Sequence, residues 1–177
     1  MTLVKKYAMF LISLALIAIM FFTFRETGLK AVNTVVTSSK EMILILPPIF
    51  ILLGLLDVWV PRETMVKFMG EGSGLKGALL AFALGSAAAG PLYVVFPIAA
   101  AFMRKDVKFS NILILIGAWS TTKVPMILFE LGALGSRFAL TRLALNIPVI
   151  LIITLVMQRA FTEEEITEIY MRAKSLE

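Results

Sequence analysis

Five apolar runs near membrane-spanning length make up most of this chain, at residues 7–24, 42–60, 75–103, 109–131 and 138–157. A run of about 18 or more apolar residues with few charges is long enough to cross a hydrocarbon core as a helix. Lipid offers the backbone no hydrogen-bond partner, so each run must satisfy its own N–H and C=O groups, as a helix does. The fold class is therefore all-α, a polytopic helical membrane protein with residues 1–177 in a single integral membrane domain. At 59% hydrophobic and only 16% charged residues, the 177-residue chain is too apolar for a soluble domain.

The missing residue types exclude several chemistries. Cysteine is absent, so disulfides, thiolate metal sites and thiol redox switches drop out. Histidine is absent too, which removes the commonest metal ligand and the usual neutral-pH proton carrier. No metal site, cofactor or nucleophile–base pair is visible, so the chain does not read as an enzyme. The stretch Gly70-Glu71-Gly72-Ser73-Gly74 lacks the Gly-Lys-Ser/Thr ending of a phosphate loop. The net charge of +5 comes from basic residues flanking the spans, a pattern suited to anionic headgroups and not to nucleic acid.

The first run follows Lys5 and Lys6 and is followed by Arg25-Glu26-Thr27, which offers no small-residue cleavage site, so it is expected to be retained. Two polar pieces look interfacial. After Pro61, residues 62–69 alternate charges with Val66, Phe68 and Met69. After Met157, Thr162-Glu163-Glu164-Glu165 has the form of a capping box. Ile166, Ile169, Tyr170 and Ala173 then follow at helical spacing, which predicts an amphipathic helix at about 162–175 lying on the membrane or on a partner chain.

The third run is too long for one ordinary crossing. Gly77, Ala81, Gly85 and Ala89 recur every four residues, a ridge of small side chains against which another helix can pack closely. The run is then broken by Gly90-Pro91 and Pro97 into halves of about 14 and 12 residues, roughly 21 and 18 Å of helix. Each proline removes an N–H and leaves a carbonyl unpaired. Two arrangements fit: a kinked helix packed on its neighbours, or a broken helix or re-entrant hairpin lining a site. The short halves favour the second.

The fourth run holds Trp119-Ser120-Thr121-Thr122-Lys123-Val124-Pro125, the most polar intramembrane sequence in the chain. A lysine near the bilayer centre costs about 3 kcal/mol on insertion scales, so it is expected to face protein or a wet cavity. Pro125 frees the carbonyl of Thr121. Lys123 either lines a solute pathway as an anion-binding group or charge filter, or forms a structural ion pair with Glu130 or Asp57 from a neighbouring helix or subunit, since Glu130 lies about 10 Å away along one straight helix. Asp57, Trp59 and Glu130 lie near span ends, where anchors and caps are common. Pro47-Pro48 is expected to kink the second span. Asn146, one turn from Arg142, is expected to make an interhelical hydrogen bond.

The runs Gly85-Ser86-Ala87-Ala88-Ala89-Gly90-Pro91-Leu92-Tyr93 with Phe96-Pro97, and Gly117-Ala118-Trp119-Ser120-Thr121-Thr122-Lys123-Val124-Pro125 with Phe129-Glu130, resemble the predicted permeases of the ArsP-like family. The likeness covers roughly Pro47 to Met157. It implies a multi-span permease, and the best-known members export organoarsenicals. Members are typically longer and carry two related halves, so the resemblance implies a half-length member here. Members that handle trivalent arsenic use cysteines, which this chain lacks.

The expected function is thus a small secondary permease that moves a small solute, anionic or metalloid, across a prokaryotic cytoplasmic membrane as a homodimer or higher homo-oligomer. The alternative is a membrane scaffold or accessory subunit whose polar run is structural. The expected pathway residues are Gly90, Pro91, Tyr93, Trp119, Ser120, Thr121, Thr122, Lys123, Pro125, Glu130 and Asn146. Five full crossings would put seven flanking Lys/Arg inside and nine outside, a near balance that would permit dual insertion. A re-entrant third run instead puts eleven inside and five outside, the positive-inside bias of a single orientation.

Overall fold

The computed structural model describes residues 3–88 and 90–175 and is helical throughout, with no strand among those residues. The helices are α1 Leu3–Thr23, α2 Arg25–Trp59, α3 Arg62–Met69, α4 Gly74–Ala87, α5 Val95–Arg104, α6 Phe109–Thr121, α7 Val124–Ala133, α8 Ser136–Ala160 and α9 Glu163–Lys174. A short 3₁₀ turn, Leu92–Val94, precedes α5. Ala89 and the side chains of Lys5, Lys6 and Asp57 lie outside the described residues, and with them the last position of the small-residue ridge.

Contacts divide the chain into two compact units, Met1–Pro48 and Ile49–Glu177. In the first, α1 passes into α2 at Phe24, and Gly28 lies so close to the Phe21 backbone that a Cβ would not fit. Residues 25–41, polar enough to suggest a link, are helical, because they contain neither glycine after Gly28 nor proline to stop a helix. Pro47 and Pro48 both lie inside α2, and the boundary between units falls directly after them.

The second unit is organised around α4 and α6, which run parallel. Asn111 lies beside Ser73 and Gly77, Leu115 and Ala118 lie beside Gly85, and Thr122 lies beside Ser86. The small-residue ridge permits this approach. Ala81 is wholly buried, and a Cβ on Gly85 would stand 2.5 Å from the Leu115 carbonyl oxygen. Helix α8 runs antiparallel to α6. Phe161 meets Phe109 edge to face at 6.0 Å, Ile150 packs on Gly117, and Asn146 reaches Thr121.

The two ends of the third run lie together. At this end Met69 O accepts from the Lys108 backbone N–H at 2.9 Å and from Asn111 Nδ2 at 2.8 Å. Lys105 Nζ donates to Val60 O at 2.6 Å, and Lys108 pairs with Glu71 at 3.0 Å. Asp106 takes a left-handed φ of +54°, which an aspartate tolerates better than most residues, and closes the turn into α6. The chain thus rises through α4, turns beyond Ala87, and descends through α5 to where it began.

The tail helix forms with its capping box complete: Thr162 and Glu165 exchange side-chain and backbone bonds. One face of it docks on the chain's own second unit. Tyr170 Oη donates to Val107 O at 2.5 Å, Lys174 pairs with Asp106 at 3.1 Å, and Ala173 is buried against the chain's own α5 end. Asp106 also pairs with Arg62 of α3. Burial opposes ionisation of Asp106, but the bonds and charges of Lys174 and Arg62 outweigh it and hold its carboxyl below the usual range. Burial, and then the charges of Glu71 and Asp106, push the Tyr170 phenol well above its ordinary value, so it remains a donor.

By length and composition, Phe109–Ala133 and Ser136–Ala160 are each able to cross a membrane. Tyr7–Thr23, Gly74–Ala87 and Leu92–Arg104 are shorter apolar helices. Large apolar side chains face outward along the long pair, including Leu128, Phe129, Leu145 and Ile152. Such exposure suits lipid and not water. The fourth run departs from expectation, because it is not one continuous helix. It is split at Thr122 and Lys123, since Pro125 cannot donate to the Thr121 carbonyl and instead sits in the first turn of a new helix.

Candidate functional site

Two helix breaks, 33 residues apart in sequence, meet at one place. On the first, Gly90 takes φ +111°, open to glycine and strained for other residues, and its carbonyl is left without a helical partner. On the second, Lys123 leaves the helical region, with φ −60° and ψ 135°. Its ammonium donates to Gly90 O at 2.6 Å. Beside this contact Ser86 and Thr122 share a buried hydroxyl bond of 2.9 Å. The Thr122 hydroxyl hydrogen goes to Ala118 O at 3.0 Å, so Ser86 is the donor of the pair.

The carbonyl freed by Pro125 is also occupied. Thr121 O accepts from Arg142 Nη2 at 2.7 Å and from Asn146 Nδ2 at 3.4 Å, both from α8. The Nε of the same guanidinium lies 2.8 Å from Glu130 Oε1, and the Glu130 side chain is 8% exposed. Among the described residues, then, the membrane-depth site holds two cations, Lys123 and Arg142, and one carboxylate, Glu130. Lys123 is satisfied by a carbonyl dipole instead of a counter-ion.

Several expected residues come together here. Gly90 and Lys123 touch. Thr121 and Asn146 make the interhelical bond expected of Asn146. Ser120, Thr121 and Asn146 line a cavity of about 70 Å³ between α6 and α8. The Ser120 and Thr121 hydroxyls both fold back onto Gly117 O, at 2.9 and 2.8 Å. Trp119 is buried, and its Nε1 has no hydrogen-bond partner among the described residues. Tyr93 and Pro125 lie exposed, Tyr93 on the 3₁₀ turn after Pro91 and Pro125 at the start of α7.

One expectation needs correcting: Glu130 is not an interfacial anchor or cap, because its side chain is buried and paired with Arg142. Within the chain Lys123 does not pair with Glu130, whose partner is Arg142. Sequence reasoning missed Arg142 and Ser86. The inside–outside charge tallies above count Arg142 as a loop cation, although it lies well inside α8. One signal was available: Arg142 sits within the fifth apolar run, four residues before Asn146, where a charge needs a partner.

The predicted permease family ArsP_1 matches residues 29–176, the greater part of the chain and all of the site just described. No curated protein and no solved structure matches the chain.

Proposed function

The chain belongs to the ArsP_1 family of predicted permeases, integral membrane transporters of small solutes, and from that premise we propose that the meeting of its two broken helices is the solute site. The protein acts as a small secondary permease of a prokaryotic cytoplasmic membrane, and its solute is a small anion or metalloid species. The observation that carries this reading is the Lys123–Gly90 contact, which brings an ammonium with no carboxylate partner among the described residues together with two unwound segments. Irregular backbone at membrane depth is tolerated where it lines a cavity or a site, and broken helices there commonly bind the transported species.

In this reading Lys123 supplies the positive charge, and Trp119 offers a buried donor without a partner among the described residues. Residues 75–103 form a re-entrant hairpin with its tip at Gly90-Pro91. This is supported by the convergence of its two ends on Met69 and Val60, and by α4 reaching only as far as the break in α6. Taking Arg142 out of the loop cations moves the charge balance further toward that arrangement. In this reading the working unit is a homo-oligomer.

The test uses the absence of native cysteine. Single cysteines placed at 90–93 and 120–126 are labelled by a membrane-impermeant thiol reagent in intact vesicles. Labelling in both windows is expected, with protection by the transported oxyanion or metalloid. Silence in both windows would leave the polar run a purely structural lock and would favour the scaffold. Reporters fused at Lys105 and at the C-terminus are both expected in the cytoplasm.

A further inference from the structure

Among the described residues of α7, the one buried side chain is that of Glu130, a carboxylate, and it is held by Arg142 from α8. The apolar side chains of Val124, Met126, Leu128, Phe129 and Leu131 all face outward. A half-helix in a membrane protein is ordinarily fixed by buried apolar packing; this one lies along α8 with Ile127 only half-buried, and its polar hold is Arg142, which pairs with Glu130 and donates to Met126 Sδ at 3.2 Å. Its two ends are also breaks. Thr122 and Lys123 interrupt the helix at its start, and Gly135, at φ +85°, follows its end.

Arg142 binds both sides of the first break. Its Nη2 caps Thr121 O, the last turn of α6, at 2.7 Å, while its Nε holds Glu130 two turns into α7. Beyond the break, Lys123 anchors the pivot itself to Gly90.

We propose that α7 is a hinged gate over the solute site, pivoting at Thr122-Lys123 and at Gly135, and that the Glu130–Arg142 pair is its latch. Closed, the pair holds α7 along α8. Open, α7 swings away while Arg142 stays on Thr121 O, so α6 keeps its cap and does not unravel. The proposal rests on the permease reading for what the gate admits, but the motion can be measured without any solute.

The experiment places spin labels at Leu128→Cys and Val149→Cys, across α7 and α8, in the full chain reconstituted in nanodiscs. A reference pair at Ser110→Cys and Leu155→Cys spans α6 and α8 away from the hinge. In the E130Q variant, which breaks the pair and leaves Arg142 on Thr121 O, the 128–149 distance is expected to gain a longer component. The shift should be on the order of one helical turn, about 5 Å, with the reference distance unchanged. A 128–149 distribution identical to that of the unsubstituted chain would overturn the latch. If the reference distance also changes, the fold has been lost, and E130D decides: it keeps both charges and shortens the reach by one methylene. A longer 128–149 component in E130D then supports the latch, and an unchanged distribution overturns it. A moving α7 in a protein that carries no solute would overturn the permease reading alone.

Discussion

The ammonium of Lys123 and the carbonyl of Gly90 lie 2.6 Å apart, each supplied by a helix break. A proline or glycine break leaves a carbonyl to be satisfied, and a lysine at membrane depth needs an acceptor. Here each need meets the other, and among the described residues no carboxylate pairs with the lysine.

Replacing this lysine separates charge from fold. Lys123→Met loses the bond to Gly90 O, at about 1–3 kcal/mol for an unpaired buried carbonyl, but also removes the cost of holding a charge in the membrane. The variant is expected to fold with a thermal midpoint near that of the parent and to lose transport in proteoliposomes. Lys123→Arg, which keeps the charge, is expected to retain part of it. Full transport by Lys123→Met would remove Lys123 from the pathway.

Glu130 and Arg142 should behave as a coupled pair in stability as well as in motion. Glu130→Gln alone leaves the guanidinium without its counter-ion in a low-dielectric setting, a loss of about 3 kcal/mol at the lower end for buried pairs because Arg142 is partly exposed. The double variant E130Q/R142Q is expected to lose less than the sum of the single changes. Denaturation of all four proteins in the same detergent gives the coupling energy directly. Strict additivity would show that the pair contributes nothing jointly.

Close helix packing predicts opposite results at two glycines. At Gly85 a Cβ would meet Leu115 O at 2.5 Å and the Ala118 Cβ at 2.9 Å, so Gly85→Ala must push α4 from α6, at about 1–3 kcal/mol. At Gly132, inside α7, a Cβ would meet nothing within 4 Å. Gly132→Ala should therefore raise helix stability by about 0.5–1 kcal/mol. Thermal unfolding in detergent compares the two, and equal effects would contradict the packing.

The tail helix should detach in acid. The folded-state value of Asp106 lies below its ordinary 3.8, so its stabilising bonds are fully present above that value. They are lost as pH falls through the lower folded value. Between pH 5 and 8, hydrogen exchange in α9 is expected to be flat with respect to docking. Below the ordinary carboxylate value the amides near Tyr170 and Ala173 should lose protection, and Asp106→Asn should show weakened docking already at neutral pH. Uniform protection down to pH 2 would mean that Asp106 does not hold the tail.

Local chemistry alone determined several features of this protein. Residue composition and run length dictated helices at membrane depth, since a backbone in lipid has few other ways to pair. The four-residue ridge Gly77, Ala81 and Gly85 marked a helix contact, and α6 occupies it. Gly90-Pro91 marked a break, and Thr162 with Glu165 marked a helix start, because each acts within one or two turns of itself. Pro125 marked the release of the Thr121 carbonyl by the same local rule, although the fourth run was still expected to remain one span.

The partners were decided by tertiary structure. A freed carbonyl accepts from any donor that reaches it, so nothing local to Thr121 or Gly90 could say that Arg142 would take the first and Lys123 the second. Those pairings follow from α4 and α6 running parallel, which sets Ser86 beside Thr122, and from the turn at Gly135, which folds α8 back along α6. The same long-range geometry buried Glu130, drew Arg142 out of the loop charges and docked α9 on Val107. Charges and hydroxyls find one another across the fold only once the half-helices have packed, because the packing sets which unsatisfied groups come within reach.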